Sequence, residues 1–306
     1  MTRIRPLIRN ALLASVMMCA LVLNVRNADA APRAEYLVSP SRPDSLASPV
    51  VFRTIQTATE TGNAELSKSS ILPVRITTGI NTYIGSRNQI YDLPLIGVFN
   101  PSFQLRLDIP IVSAVFDTPD SGRISNTGIG DVLLSATFRT ELDKIFESFF
   151  TVTAAIPSGN ADSGLGLGAY DFTLTHKTII MLGSYRTTFM AGLTLPPSGS
   201  TTVLGRSVDY GAAVSYMAAA ESSFSIPDLR YGIKAAGLHA FSSKINSVDQ
   251  ANAVTTLDLI PEVSYNLSNR GSISAGIVIP LLTFYDMPGA ANRRDPIINL
   301  GVRTSF

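Results

Sequence analysis

Two histidines, one glycine-rich run and a set of regularly spaced charges are the residues of this 306-residue chain that could do chemistry. His176 stands near Thr175 and Thr178, and His239 near Ser242 and Ser243. A hydroxyl beside an imidazole is the start of a nucleophile and base pair, but nothing in either spacing marks a hydroxyl as activated. Gly164-x-Gly166-x-Gly168 has the outline of a dinucleotide fingerprint. That motif needs a helix behind it to cradle phosphate, and here Tyr170-Asp171-Phe172-Thr173 starts a strand instead. Asp108 with Asp131, or Asp258 with Glu262, are paired carboxylates. Residues i and i+4 on one strand face lie about 13 Å apart, too far to share an ion unaided, so ion pairs with neighbouring cations are the better reading. The residues therefore predict no catalytic residue, no cofactor and no metal, and the chain is read as a non-enzyme.

The charges make sense only through the elements that carry them. Phe103, Leu105, Leu107, Ile109 and Ile111 alternate with Gln104, Arg106 and Asp108, an apolar face backed by a charged one. The same two-residue period recurs from Val74 to the last residue, Phe306. Val132, Leu134, Ala136 and Phe138 oppose Asp131, Ser135, Thr137 and Arg139. Leu229, Tyr231 and Ile233 oppose Arg230 and Lys234, and Leu257, Leu259 and Val263 oppose Asp258 and Glu262. A soluble sheet buries its apolar face, and a large β-sandwich would also show alternating strands. Charge opposite the apolar face of almost every strand, over about twelve strands, instead fits a closed antiparallel transmembrane β-barrel with lipid outside and water inside.

On that reading one set of charges lines the lumen. Arg75, Arg106, Arg139, Lys177, Arg186, Arg230, Lys234 and Arg303 face Asp108, Asp131, Glu147, Asp171, Asp209, Asp258 and Glu262. A ring of one sign selects ions, whereas this nearly balanced set predicts a salt-bridged lumen, plugged or weakly selective. Long polar connections at 113–127, 157–169, 196–206, 242–252 and 281–295 alternate with short ones at 99–101, 141–144, 181–184 and 266–270. This places long loops outside and tight turns at the periplasm. Two links fit less well: 219–228 is long for a turn and 85–89 short for an outer loop.

The N-terminus reads as export machinery. Arg3, Arg5 and Arg9 precede an apolar run from Ala11 to Leu23, and Ala28-Asp29-Ala30 has the small-x-small form of a cleavage site. Residues 1–30 are thus expected to be a cleaved signal peptide, 31–66 a flexible periplasmic segment or small plug, and 67–306 the barrel. Cleavage would remove four arginines and one aspartate from totals of 24 and 23, leaving 20 basic and 22 acidic residues. A charge so near zero gives no support for nucleic-acid binding. The single cysteine, Cys19, falls in the signal, so the mature chain has neither disulfides nor thiolate metal sites.

The closing strand, 296–306, ends an alternating run on an aromatic and resembles the C-terminal strand of bacterial outer-membrane barrels. Phe306 would then be its assembly signal, with the barrel-assembly machinery and outer-membrane lipid as partners. Two further segments, Gly128-Ile129-Gly130-Asp131-Val132 and Ala155-Ile156-Pro157-Ser158-Gly159 with its following glycines, are similar to motifs of the phenol-degradation meta-pathway family of outer-membrane transporters. Asp108-Ile109-Pro110-Ile111 fits the same pattern, and Ser158 departs from the threonine usual there. The resemblance implies a passive channel in the bacterial outer membrane for small aromatic or hydrophobic organic solutes. The other readings are a closed structural or loop-binding barrel and, more remotely, a lipid-modifying enzyme.

Overall fold

The computed structural model describes residues 75–306 except 86–87, 101, 119–121, 144, 164, 196–200, 204–205, 210, 224–227, 243, 246–247, 250–252, 269 and 286–293. The signal-peptide and N-terminal-segment readings therefore lie outside the described residues. Alternating sequence becomes strand wherever both faces can be satisfied, and here twelve strands form one wall. They are β1 (Arg75–Ile84), β2 (Asn88–Asn100), β3 (Phe103–Thr118), β4 (Val132–Asp143), β5 (Phe146–Ile156) and β6 (Asp171–Leu182). The second half holds β7 (Tyr185–Leu195), β8 (Ala213–Ser223), β9 (Leu229–Ala240), β10 (Val254–Ser268), β11 (Gly271–Tyr285) and β12 (Ile297–Ser305). Each pairs antiparallel with the next, and β12 returns to β1 in the register Ile80↔Val302. The result is a closed twelve-stranded antiparallel barrel.

Closure leaves no free edge, which is what a wall in hydrocarbon requires, because an unpaired backbone group there costs several kcal/mol. Even the last residue is tied in: Phe306 N–H donates to Ile76 O at 2.8 Å and Ile76 N–H to Phe306 O at 3.3 Å. Outside, among the described residues, large apolar side chains stand exposed on strand after strand, from Ile76 on β1 to Val302 on β12. Phe99, Phe103 and Phe138 form a tilted aromatic group near the turn end, with centroids 5.8 and 5.1 Å apart. Tyr and Phe thus supply the aromatic belt in a chain that has no tryptophan.

The connections follow the expected alternation, with three revisions. Residues 113–127 are not an irregular loop: β3 runs on to Thr118 and pairs with a strand at Gly122–Ile129. Val115, Phe116 and Ile124 are residue types that favour strands, which agrees with the pairing continuing to Thr118↔Gly122. Residues 281–285 likewise belong to β11. The link 219–228 is shorter than it reads, because β8 extends to Ser223. At the other end Leu182 pairs directly with Tyr185, so Gly183-Ser184 is a two-residue hairpin turn, and Gly183 takes the φ of 64° it needs. The loop ends carry a separate four-stranded sheet from Thr201–Val203, Arg206–Asp209, Lys244–Ile245 and Val248–Asp249.

The faces of one strand provide a test. Leu107→Arg puts a charge into the apolar outer face and should cost about 2–4 kcal/mol near the bilayer midplane. Gln104→Arg points into the barrel and should cost much less. Urea unfolding in lipid vesicles, followed by heat-modifiable gel mobility, checks this; equal losses would mean that the faces are assigned wrongly.

Candidate functional site

The inner face begins with hydroxyls. Thr77 meets Ser305, Ser135 meets Thr153, Thr137 meets Thr151 and Thr173 meets Thr194, each oxygen pair 2.9 Å apart across neighbouring strands. These short side chains satisfy one another and hold the wall without filling the interior.

Charges form a second layer, and they pair strand to strand. Arg106 lies along Asp108 on β3, its Nε donating to both carboxylate oxygens at 2.9 and 2.7 Å and its Nη2 to Oδ1 at 2.6 Å. The same Nη2 is 3.7 Å from Asp92 on β2, which also accepts from Asn81 Nδ2 at 3.2 Å. Asp92 is fully buried, so this carboxylate depends on those donors. Round the wall, Arg139 on β4 pairs with Glu147 on β5. Lys177 Nζ on β6 sits 4.3 Å from the centroid of the inward Phe149 ring, a cation–π contact. Arg186 on β7 lies 3.8 Å from Glu221 on β8, and Lys234 on β9 lies 2.6 Å from Glu262 on β10. Near the loop end Arg294 pairs with Asp258, and its Nε donates to Thr283 Oγ1 at 3.0 Å.

Several residues expected on the lumen sit elsewhere or in other company. Asp209 is not on the barrel wall: it belongs to the loop sheet, where its partner in register is Lys244. The wall strand starts only at Ala213, after Gly211 and Ala212 break the run. Asp131 precedes β4 and holds a loop instead, accepting from the backbone N–H of Leu167 at 2.7 Å and of Gly159 at 3.2 Å. Ser158 completes this clasp by donating to Gly130 O at 2.8 Å and accepting from Val132 N–H at 3.0 Å. A Cβ at Gly166 would run into the Asp131 carboxylate, which explains a glycine there. Asp171 is buried at the start of β6. The Arg75 side chain lies outside the described residues.

Arg106 pairs with Asp108 and Arg139 with Glu147, while Asp131 holds the loop. Asn81 takes the inward place that alternation gives it, whereas Asp92, Glu221 and Arg294 join the site without alternation singling them out. Asp92 sits on a strand that is apolar on both faces, with Ile90, Pro94 and Ile96 beside it inside. Glu221 lies past the point where alternation fades into Ala218-Ala219-Ala220. Arg294 comes from a connection, and no local pattern ties it to Asp258.

Between the charges runs an apolar arc. Tyr83, Ile90, Met190, Met217, Leu238, Ile260 and Val278 are buried against one another, with Val112 and Ile297 packed on them. Beside it a cavity of about 540 Å3, open solvent included, is lined by Asn81, Glu221, Arg230, Glu262, Asn299 and Arg303 among others. The histidines face outward. His176 Nε2 is 2.8 Å from Ser148 Oγ and its ring stacks on Phe150 with centroids 4.5 Å apart; His239 Nδ1 is 2.8 Å from Thr255 Oγ1. Both rings do the same thing, spending a polar edge on a cross-strand hydroxyl that apolar surroundings would otherwise leave unmet.

Pairing from strand to strand makes a distinct expectation. A double-mutant cycle on Arg139 and Glu147 should show coupling of about 0.5–3 kcal/mol, while Arg139 and Asp108 should add within about 0.5 kcal/mol. Removing Asp108 takes the closer carboxylate from Arg106 but leaves Asp92 at 3.7 Å, so it should cost less than removing Arg106, which takes a cation from both acids. Unfolding free energies in vesicles measure all three. Additive behaviour within the Arg139–Glu147 pair would show that these charges are solvated independently.

No family model and no curated protein matches the chain. Among solved structures the barrel is similar to an outer membrane channel from Pseudomonas putida F1, with a TM-score of 0.62 and 13% identity over 80% of this chain and 100% of that one. It is also similar to the translocator domain of the autotransporter NalP from Neisseria meningitidis, with a TM-score of 0.52 and 11% identity over 88% and 100% of the two chains. At these identities the likeness is one of fold, and the fold is that of outer-membrane β-barrels.

Proposed function

We propose that this protein is a passive channel of the bacterial outer membrane for small organic solutes. The observation that carries the reading is a closed wall, apolar outside, whose inner face is charged and holds a cavity. Apolar residues outside match lipid, and the polar groups inside match a water-containing path. The likeness in fold to an outer membrane channel supports the same reading. A twelve-stranded barrel stands between filled eight-stranded and open sixteen-stranded ones, which agrees with a narrow, partly packed lumen.

Export by residues 1–30 and insertion directed by the barrel-assembly machinery through the strand ending in Phe306 complete the proposal. Membership of the phenol-degradation meta-pathway family belongs to it too. It is supported by the meeting in space of the two segments that carry the resemblance, through Asp131, Ser158 and Gly159. The apolar arc of Tyr83, Leu238 and Ile260 offers a surface to an aromatic or hydrophobic body, and the cavity beside it offers polar contacts. Nothing is asked of the histidines beyond wall structure, so the protein is read as a non-enzyme.

The same arc favours one rival, a closed barrel acting through its loop sheet. Planar bilayers separate the two: the purified protein should give small, discrete KCl conductance steps, whereas a closed barrel gives none. Sidedness is checked with single cysteines in the otherwise cysteine-free mature chain. A membrane-impermeant maleimide on intact cells should label Ser125→Cys, exposed beyond the wall, and not Ser184→Cys, exposed at a tight turn. Labelling of both alike would sink the orientation.

A further inference from the structure

The connection between β5 and β6, residues 157–169, is drawn to the inner side of the wall. Asp131 shares the inward parity of Ser135 on β4, and it accepts from the backbone N–H groups of Leu167 and Gly159 at 2.7 and 3.2 Å. Val112 packs on the apolar arc, so its register partner Gly128 also faces inward, and a Cβ there would stand 2.8 Å from Leu165 Cδ1. At Gly130 a Cβ would stand 3.1 Å from the Leu165 carbonyl oxygen. Asn126, two places before Gly128 and on the same face, donates to the Ser163 carbonyl at 2.9 Å. A carboxylate, a packed leucine and an amide thus hold the loop at separate points, and Leu167 is buried by the arrangement. Its turn at Ala161–Ser163 lies beside Thr201–Val203 of the loop sheet.

We propose that this inward loop is the constriction of the channel and that Asp131 is the residue that fixes its bore. The proposal rests on the channel reading and names what sets solute size at the mouth. Loop backbone on the inner side takes cross-section from the lumen, and a ring of twelve strands encloses little to begin with. The ion pairs of the wall act differently, since Arg139–Glu147 and Lys234–Glu262 each join one strand to its neighbour. Asp131 joins the wall to residues 28 and 36 places further on, so its loss frees a loop and not one side chain. Charged acceptors of backbone N–H groups make the stronger class of hydrogen bond, which suits a fixed fitting. Ser158 secures the root of the same loop through Gly130 O and Val132 N–H.

The grip can be made switchable. A Cβ at Gly166 would stand 2.8 Å from the Asp131 carboxylate carbon, so cysteines at both positions lie within reach of a disulfide. In planar bilayers, Asp131→Ala in the full mature chain should raise the KCl conductance step about twofold, and in swelling assays its liposomes should admit a trisaccharide that the unaltered protein excludes. The doubly substituted Asp131→Cys, Gly166→Cys protein should match the unaltered protein when oxidised and Asp131→Ala after reduction. Both of its states lack the carboxylate, so a difference between them reports the loop and not the charge. Leu167→Cys should react with a maleimide about tenfold faster when combined with Asp131→Ala, because the loop is released. Heat-modifiable mobility confirms folding, and if Asp131→Ala does not fold, the oxidised protein reduced in place carries the comparison. Equal size limits in the oxidised and reduced states, or a wider limit in Asp131→Ala without faster labelling, would overturn the constriction while the channel stands. Protein that passes nothing even when released sinks the channel reading itself.

Discussion

The seam between β1 and β12 is the contact on which everything else here depends. A sheet in lipid has no water to cap its edges, so the last strand must find the first, and the Ile76–Phe306 backbone exchange completes that circuit. Once the wall is closed, each side chain has only two directions to take. Those pointing out must tolerate hydrocarbon, and those pointing in must be satisfied by one another. The cross-strand threonine and serine pairs, the Arg139–Glu147 and Lys234–Glu262 bridges and the cation–π contact at Phe149 are all answers to that second demand.

The interior answers it in two ways at once. One arc is packed with tyrosine, methionine and aliphatic side chains, and the rest is bridged by charge. Apolar packing inside a barrel narrows the bore without needing partners, while charge keeps it wet but must be neutralised nearby. Lys234 shows how strict the neutralisation is: it is almost wholly buried, with its ammonium against Glu262.

How much of this was legible in the residues follows from the reach of each interaction. Alternation is a local property, so strand identity, the facing of Leu107 against Gln104, and closure by a terminal aromatic strand could all be read directly. The bounds were harder where a strand ran on into an expected connection, as β3 does to Thr118 and β11 to Tyr285, because nothing local says where lipid ends. Asp209 was misplaced since it alternates correctly in a strand that belongs to another sheet. Asp131 has the right sign and the right parity but serves backbone N–H groups of a loop 28 and 36 residues away. Counting charges gave a balance; only the fold shows which charges meet, as Arg139 meets Glu147 and Lys234 meets Glu262.

The continuation of β3 past the barrel has a mechanical meaning. Its 16 residues span about 54 Å along the strand, and a bilayer core of about 30 Å crossed at a steep tilt uses up only part of that length. The hairpin with Gly122–Ile129 is therefore a parapet on one side of the rim, pinned at its foot by Gly130–Asp131 and the loop clasped to it. Backbone pairing thus continues past the depth at which lipid demands it, so this part of the rim keeps its shape in water without help from the membrane.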